Sequence, residues 1–450
     1  MLFVSDTKNQ LVMKSHIVII TPTAYLIGGV QTWLNYLVPN LERNGWIVTV
    51  LLPNGNYSNA YKYIQEHPFN NFRVLDNPTG SREGRVLSIY SALEDLQPNL
   101  VLSVNIVDTY IAVERLRYKY NQKSPLVAMT LHSFQADFYE DIHNYSHVID
   151  GVITTNKLNI CLIDHMDLLV KPSLFYAPCG VTVPTSSQHH KYEDIISILF
   201  VGRIDNSEKR IFDIPLILKE LDNLGVKYKL SIVGNGLDEN ELKEHITSLN
   251  LVGEIVFLGS LDVSNIQENI YPNQDILLIT SPAETGPIVA WEAMSHGMVL
   301  VTSQYIGSSV EGSLRDNENC LMFPVGDIKA AAKAISKLQD PQLKYNLSRA
   351  GYELVCQRYT RSYSVQMWEE AIKQILTLSP KQLSKPLQKL PPSGRLDRLI
   401  GTRFAEQIRK LTGISFEHHS AGGEWPHSYG TNTKEEEFFS HLKNIENLSN

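Results

Sequence analysis

Short apolar runs alternate with segments of helical spacing along the first part of this chain. Residues 16–20 (HIVII) form a continuous apolar run, 31–43 carry apolar residues at helical spacing, and 46–52 form a second apolar run. Continuous runs of this length are typical of parallel strands that are buried on both faces. The pattern therefore predicts a strand, a helix and a second parallel strand, and the same alternation continues to residue 177.

A second series of strands and helices follows a polar connection. Residues 183–194 lack an apolar period, which indicates a connection between domains. The next series starts with the apolar run 196–201 and ends with helical segments at 343–359 and 363–378. We therefore predict an α/β protein with two doubly wound, Rossmann-like domains whose strand ends face a central cleft.

The predicted boundaries divide the chain into four segments. They are a first Rossmann-like domain (14–185), a second (195–360), a helix that returns to the first domain (361–378), and a basic amphipathic extension with a polar tail (379–450).

The segment 281–297 (SPAETGPIVAWEAMSHG) predicts a loop that leads into a short buried helix. Pro287 suits the first helical position and Gly297 the position after the last turn. Glu292 lies among apolar residues, where a carboxylate is costly unless it is paired or hydrogen-bonded. Glu284 precedes the helix N-terminus, where backbone N–H groups attract anions. The segment alone fits two interpretations equally: a polar ligand pocket, or a capping glutamate with a structural buried ion pair.

Other candidate residues follow predicted strands, at the edge where parallel sheets bind ligands. The diglycine Gly28 and Gly29 opens the first helix, and a turn without side chains lets a phosphate or sugar approach the backbone. His132 follows a later strand, and Arg203 and Lys209 follow the strand that opens the second series. Both cations suit phosphate contacts. Each feature also has a simpler explanation: a plain turn, a structural histidine or a solvated loop.

Composition excludes several classes of protein. Hydrophobic residues make up 43% and charged residues 20% of the chain, which is ordinary for a globular protein. The formal net charge of −8 argues against general nucleic-acid binding. The four cysteines lie far apart and form no CxxC pair, which predicts neither a zinc site nor a disulfide scaffold and favours a reducing compartment. No signal peptide or membrane-spanning run is expected, so we predict a cytoplasmic protein.

Taken together and in order, these residues resemble the GT-B fold, family 4 retaining glycosyltransferases (glycosyl transferases group 1). The resemblance extends from residue 16 to residue 378. It is carried by Gly28-Gly29-Val30, Thr130-Leu131-His132, Val201-Gly202-Arg203 with Lys209, Val233-Gly234-Asn235-Gly236, and the pair Glu284 and Glu292 with seven residues between them.

The resemblance implies a hexosyltransferase that moves a sugar from a nucleoside-diphosphate sugar to a glycan, lipid or small-molecule acceptor. It implies retention of configuration, no divalent metal, and no cofactor besides this co-substrate. His132 and Glu284 would be the catalytic residues. The residues that would bind the donor are Gly28, Gly29, Arg203, Lys209, Gly234, Gly286, Pro287, Ile288 and Glu292.

Two motifs depart from the family pattern. The sequence after Glu284 is Thr-Gly-Pro where relatives often have Gly-Phe-Gly, and residues 179–182 are Cys-Gly-Val-Thr where many have Asn-Gly-Val-Asp. The first departure leaves the donor sugar open. A nucleotide-sugar epimerase of the same architecture and a catalytically silent binding subunit are the alternative functions.

The segment 395–411 predicts a basic amphipathic helix. Residues 381–413 contain eight Lys or Arg and two Asp or Glu, a net charge of +6. Such a helix can lie on an anionic membrane, here the inner membrane face, or dock on the acidic body of its own chain or of a partner protein. Docking is the more general expectation, since amphipathic helices are usually packed. The last residues, 420–450, are polar with an acidic run at 435–437, which predicts partial disorder.

Overall fold

The computed structural model describes residues 15–24, 28–184, 194–383, 389–430, 438, 440 and 442–444. Most of the predicted connection 183–194 and the acidic run 435–437 lie outside these residues, as does the N-terminal segment before residue 15.

The described residues fold into two compact units. The first comprises those within Met1–Thr155, Asn159–Ala177 and Val365–Ser440. The second comprises those within Asn156–Leu158, Pro178–Ser364 and His441–Asn450. Each unit has its own parallel sheet with helices, which confirms the α/β class and the doubly wound architecture.

The first unit contains a parallel seven-stranded sheet with the order β3-β2-β1-β4-β5-β6-β7. Its strands are β1 (His16–Ile20), β2 (Ile47–Asn54), β3 (Phe72–Asp76), β4 (Leu100–Val104), β5 (Leu126–Leu131), β6 (Gly151–Thr154) and β7 (Ser173–Tyr176). The helices that follow them are α1 (Gly29–Arg43), α2 (Ala60–Glu66), α3 (Arg82–Leu96), α4 (Asp108–Tyr120), α5 (Ala136–Tyr145) and α6 (Lys157–Asp164).

The second unit contains a parallel six-stranded sheet with the order β10-β9-β8-β11-β12-β13. Its strands are β8 (Ile196–Val201), β9 (Tyr228–Val233), β10 (Glu254–Gly259), β11 (Ile276–Ile279), β12 (Val299–Ser303) and β13 (Leu321–Phe323). Its helices are α7 (Asn206–Lys209), α8 (Asp213–Asn223), α9 (Glu239–Ser248), α10 (Val263–Asn265), α11 (Ile288–Ser295), α12 (Ser308–Glu311), α13 (Ile328–Ser336) and α14 (Pro341–Arg358).

Both faces of the second sheet are covered by apolar side chains. Ile198 and Phe200 of β8 belong to one buried cluster, while Leu199 between them belongs to the cluster on the opposite face. Side chains of a strand alternate between the two faces of a sheet, so a strand covered on both sides must be apolar throughout. This explains the continuous apolar run that marked β8 in the sequence.

Helix α15 (Arg361–Leu376) starts in the second unit and continues in the first. In the first unit, its Trp368 packs against Trp33 of α1 with ring centroids 4.5 Å apart. Glu369 accepts hydrogen bonds from the side chains of Trp46 and Asn44 at 2.9 Å. These contacts attach the middle of α15 to the first helix and to the connection between it and the second strand.

The C-terminal extension differs from the predicted single helix 395–411. It forms α16 (Arg395–Ile400) and α17 (Thr402–Thr412), separated by Gly401, whose φ of 85° interrupts the helical path. A further short helix, α18 (Ala421–Glu424), lies in the tail for which partial disorder was predicted, and Trp425 after it is buried. The structure thus describes residues 420–430 of this tail, and the prediction of partial disorder for the rest of it stays a prediction.

Among the residues that the structure describes, no helix is both long and apolar enough to cross a membrane.

Candidate active site

The second sheet reverses its winding direction between β8 and β11, which are neighbours although two strands, β9 and β10, lie between them in the sequence. Ligands of doubly wound sheets bind at such a switch point, outside the carboxyl ends of the strands. The chain leaves β8 at Gly202 and β11 at Thr280. Arg203, Lys209 and Glu284 lie in the connections that follow these two ends, and Glu292 lies in the helix after the second one.

Close contacts between backbones shape the loop after β8. Gly202 N–H donates to the carbonyl of Val233, and Ile204 N–H donates to the carbonyl of Asn235. A Cβ atom on Gly234 would lie 1.8 Å from the carbonyl oxygen of Gly202, and Gly234 has a φ of 130°. The glycine at 234 therefore lets the loops after β8 and β9 pack together, and its predicted contact with a donor stays a prediction.

Lys209 and Glu284 are brought together from the two loops. The Lys209 Nζ lies 2.6 Å from the Glu284 Oε1, and both side chains are partly accessible at 26% and 13%. Thr280 donates a hydrogen bond to the Lys209 carbonyl at 2.6 Å, which fixes the end of α7 against the end of β11. A charged pair that is held on ordered backbone and open to solvent can exchange its partner for a charged or hydroxylated ligand.

Arg203 lies in the same loop but has a different partner. Its guanidinium is 3.1 Å from the Glu208 carboxylate, and both side chains are largely exposed. In this structure the two predicted cations, Arg203 and Lys209, therefore contact different acids. The long, exposed arginine side chain can change direction at little cost because surface ion pairs contribute little stability.

Glu292 lies one turn inside α11 and is half-buried. Tyr271 donates a hydrogen bond to one carboxylate oxygen at 2.9 Å, and the Gln267 amide lies 3.4 Å from the other. Burial raises the pKa of Glu292 above its usual value, while these hydrogen bonds and the charge of Arg361 act in the opposite direction. The carboxylate is thus held mainly by neutral donors, which leaves it able to accept further hydrogen bonds.

The start of α11 differs from the prediction in one respect. Pro287 is the N-cap with a ψ of 107°, so the helix starts at Ile288 and the expectation that Pro287 is its first helical residue is wrong. The extended ψ follows from Gly286, whose φ of 84° turns the loop before the helix. No side chain of a described residue caps this end. Glu284 pairs with Lys209 instead of capping, so the helix N-terminus stays available to an anion.

The first unit contains the other predicted residues. Gly28 is the N-cap of α1 and Gly29 its first residue, with no acidic side chain in the first turn. A Cβ atom on Gly28 would lie 2.9 Å from the Gln31 Oε1, so the glycine keeps this turn narrow.

His132 follows β5 and packs against two indole rings. Its ring centroid is 4.6 Å from that of Trp33 and 5.9 Å from that of Trp368. Removal of the imidazole from water lowers the pKa of His132 to about 4. The histidine is therefore neutral near pH 7, where it can donate or accept a hydrogen bond but holds no positive charge.

Several residues of the site were not predicted from the sequence. Ile306 accepts a hydrogen bond from Glu284 N–H and donates one to the carbonyl of Pro282, so the loop after β12 supports the loop of Glu284. Gln267 belongs to a π-helical turn, Ile266–Ile270, and Tyr271 follows it. A π-helical turn is often found at functional sites, but its sequence looks like that of an ordinary helix. The position of Tyr305 and Ile306 after an apolar strand was the signal that could have identified the supporting loop.

Comparison with known proteins agrees with this geometry. Residues 184–354 match the family Glycosyl transferases group 1. This region contains both loops of the switch point, the Lys209–Glu284 pair and Glu292. The match confirms the predicted similarity to glycosyl transferases group 1 over this part of the chain.

One relative of this glycosyltransferase is a Campylobacter jejuni protein. It is named GalNAc-alpha-(1->4)-GalNAc-alpha-(1->3)-diNAcBac-PP-undecaprenol alpha-1,4-N-acetyl-D-galactosaminyltransferase. The two are 25% identical over 310 residues, which cover 68% of this chain and 82% of the relative.

Solved structures show the same fold. A glycosyltransferase from Rickettsia africae matches with a TM-score of 0.64 and 14% identity, covering 81% of this chain and 100% of its own. HepE from Anabaena, solved in complex with UDP and glucose, matches with a TM-score of 0.60 and 13% identity, covering 80% and 100%. The predicted GT-B fold of the glycosyltransferase is confirmed.

Proposed function

We propose that this glycosyltransferase is a retaining hexosyltransferase that takes a sugar from a UDP-sugar and transfers it to a glycan acceptor carried on a lipid. The Lys209–Glu284 pair at the switch point of the second sheet, beside the N-terminus of α11, carries the proposal. The UDP in the Anabaena structure supports the nucleotide, and the lipid-linked glycan in the name of the Campylobacter relative supports the acceptor class.

In this proposal the donor diphosphate lies at the switch point. Lys209 exchanges Glu284 for a phosphate oxygen, and the exposed Arg203 turns from Glu208 to a second one. The N–H groups at the start of α11 face the same anion. These groups stabilise the charge that develops on the leaving diphosphate, so we propose that the reaction needs no divalent metal.

The two glutamates bind hydroxyl groups in this proposal. Glu292 accepts hydrogen bonds from the ribose hydroxyls on the oxygens that Tyr271 and Gln267 hold in place. Glu284 is released from Lys209 and accepts hydrogen bonds from the donor sugar. Carboxylates suit both tasks because an ionised carboxyl group is a pure acceptor.

For the first unit we propose separate substrate contacts by His132, Gly28 and Gly29. A neutral imidazole packed against two indoles can hydrogen-bond a sugar hydroxyl without adding a positive charge. The side-chain-free turn at the start of α1 admits the phosphate or the acceptor.

The first test measures transfer with the wild-type enzyme, the variants Lys209→Met and Glu284→Gln, and the control Lys243→Met. Lys243 forms a pair with Glu239 at the same 2.6 Å distance, but on the surface of α9. Lys209→Met removes one group that stabilises the leaving charge and is expected to lower kcat by about 10²-fold to 10³-fold. Glu284→Gln removes the proposed acceptor for the donor sugar and is also expected to lower the rate of transfer. The control is expected to keep wild-type kinetics, and all variants to keep the wild-type melting temperature within a few degrees.

The second test determines the anomeric configuration of the product by proton NMR. Retention supports the proposal, and inversion refutes the retaining mechanism. Conversion of the UDP-sugar without an acceptor would favour an epimerase. Nucleotide binding without turnover on any lipid-linked acceptor would favour a binding subunit.

Loss of activity after dialysis against EDTA, restored by Mg²⁺ or Mn²⁺, would refute the metal-independent reaction.

A further inference from the structure

The extension is attached to the first unit by its charged side chains. Glu406 accepts hydrogen bonds from the Thr79 hydroxyl at 2.8 Å and from the Ser81 hydroxyl at 2.5 Å. Arg409 binds both carboxylate oxygens of Asp397, which joins α17 to α16. Glu406, Arg409 and Asp397 are all buried. The docking face of the extension is thus polar, which is the reverse of the usual arrangement of an amphipathic helix.

The apolar side chains of the extension point to solvent instead. Phe404 is 68% and Leu411 86% exposed, and both lie on one face of α17 with Ile408 between them. Leu399 of α16 is 81% exposed. We call the whole set the apolar surface of the extension; its members are Leu399, Ile400, Phe404, Ile408, Leu411 and Ile414. A contiguous group of exposed large apolar residues marks an interaction site more often than scattered ones do.

The exposed charges on the same helices are all positive. The structure describes every residue of 395–414, and the exposed charged side chains of this stretch belong to Arg395, Arg398, Arg403 and Lys410. Its acidic residues, Asp397 and Glu406, are buried in the docking contacts. Arg403 and Lys410 precede Phe404 and Leu411 in the sequence, so each basic side chain lies about 100° around the helix from the apolar row. The exposed Arg403 side chain also keeps one contact with the first unit, where its Nε lies 3.9 Å from Glu83.

We infer that α16 and α17 form a binding surface for an anionic lipid bilayer, with the apolar side chains in the acyl boundary and the basic side chains at the lipid headgroups. Peripheral helices use this combination: a row of Phe and Leu that enters the bilayer by one side-chain length, flanked by Lys and Arg that contact anionic headgroups. Docking on the first unit by the opposite, charged face holds both helices in this orientation before any lipid is met. The inference does not depend on the proposed donor or acceptor.

A second copy of this chain fits the surface less well. A symmetric dimer through α16 and α17 would place the same patch against itself, and the exposed charges on this patch are all positive. Like charges across an interface oppose association, whereas an anionic bilayer offers the complementary charge over the whole surface. The charge pattern therefore favours the lipid.

The test is co-sedimentation of the full-length protein with vesicles at about 0.1 M salt, so that surface charges are only partly screened. One set of vesicles is phosphatidylcholine alone, and the other contains about one third phosphatidylglycerol. Wild-type protein is expected to bind the anionic vesicles about tenfold more than the neutral ones. The double variant Phe404→Ser/Leu411→Ser is expected to lose this binding. The triple variant Arg398→Gln/Arg403→Gln/Lys410→Gln is expected to lose the difference between the two vesicle types.

The control is Leu224→Ser/Val252→Ser, which removes two exposed apolar side chains from the second unit, where they are 55% and 85% exposed. It is expected to bind vesicles like the wild type. The inference is wrong if the wild type does not sediment with anionic vesicles, or if the Phe404/Leu411 variant binds them equally well. A concentration-dependent dimer in sedimentation velocity that this variant abolishes, without vesicle binding by the wild type, would assign the surface to a second copy and overturn the inference.

Discussion

Glu292 shows at the scale of one residue how a site can be built at the expense of stability. Its carboxyl group is half-buried on a helix whose other residues are mostly buried and apolar. Tyr271 and Gln267 provide hydrogen bonds, yet burial still raises the pKa of Glu292. The ionised form is therefore less favourable in the folded chain than in water. Such a cost is common where a charged side chain serves a ligand.

This raised pKa predicts a pH-dependent stability. A carboxyl group with a higher pKa in the folded chain contributes most to stability below its unfolded pKa, and that contribution is lost as pH rises through the folded pKa. Between about pH 4 and pH 8, the melting temperature of the wild type should therefore fall relative to that of Glu292→Gln. The measurement is a series of thermal unfolding curves for both proteins. A constant difference between the two proteins over this range would contradict the assignment.

The same substitution should weaken nucleotide binding. Glu292→Gln loses a charged acceptor that we propose for the ribose hydroxyls, and hydrogen bonds to charged groups contribute about 1.5–3 kcal/mol, or roughly tenfold to a hundredfold in affinity. Calorimetric titration with UDP measures the change. Ribose-free diphosphate is the control ligand, and its affinity should not change. Equal losses for both ligands would place Glu292 in a general structural role.

At the scale of elements, the paired loops after β8 and β9 depend on one glycine. Gly234→Ala would place a Cβ atom against the Gly202 carbonyl and force a φ of 130° on a side chain that disfavours it. We expect a loss of several kcal/mol in the free energy of unfolding, since neither backbone can move without breaking the Gly202–Val233 hydrogen bond. Gly225→Ala is the control. Its φ is 68°, and the structure describes no atom within 4 Å of the added Cβ, so about 1 kcal/mol is expected. Urea unfolding compares the two, and equal losses would show that the close approach is unimportant.

Another element-scale prediction concerns the attachment of α18. The Glu424 carboxylate accepts hydrogen bonds from the backbone N–H groups of Asn56, Tyr57 and Ser58 at 2.5, 3.0 and 2.8 Å. Glu424→Ala would leave these donors without the carboxylate, which is expected to cost about 2–3 kcal/mol of unfolding free energy. Glu417→Ala, which removes an exposed carboxylate from the same tail, is the control. A loss below the error of the urea measurement would mean that the tail contributes no stability.

How much the sequence predicts differs between elements. The strand at 196–201 was predicted to the residue, since Gly202 ends an apolar run that follows the polar connection. Helix α2 was missed because it has only seven residues, of which Ala60 and Tyr63 are buried, too few to show a period. The break at Gly401 was not predicted. The orientation of α17 was not predictable either, since the positions of residues around a helix do not show which face packs against the rest of the protein. In the structure, Glu406 accepts hydrogen bonds from two hydroxyl groups of the first unit, and α17 therefore docks by its polar face with the apolar row toward solvent.

The candidate site was likewise predictable from the sequence only in part. The switch point, the loop cations and both glutamates follow from strand order and residue type. The ion-pair or hydrogen-bond partner of each charged residue does not follow from the sequence, because the choice of partner depends on the lengths and directions of side chains. Arg203 and Lys209 belong to one loop but contact different acids, and Glu292 is held by a tyrosine from a π-helical region.

At the scale of the whole molecule, each unit has its own sheet, core and buried ion pair. In the first unit, the Arg115 guanidinium binds both oxygens of Glu83 at 2.8 Å. In the second, the Lys344 Nζ lies 2.8 Å from Asp275, whose other oxygen accepts a hydrogen bond from the Ser197 N–H. All four side chains of these pairs are buried. Removing one partner of a buried pair is strongly destabilising because the other charge stays buried.

These two pairs allow a test of whether the units unfold separately. Arg115→Met and Lys344→Met should each lower local stability by about 3–5 kcal/mol. Because the two ion pairs belong to different units, we expect the first variant to accelerate amide hydrogen exchange in β1–β6 and the second in β8–β13. Hydrogen exchange with mass spectrometry measures both patterns, and each variant is the control for the other. If either substitution accelerated exchange equally in both sheets, the two units would unfold as one cooperative body, and a stability change in one could not be interpreted without the other.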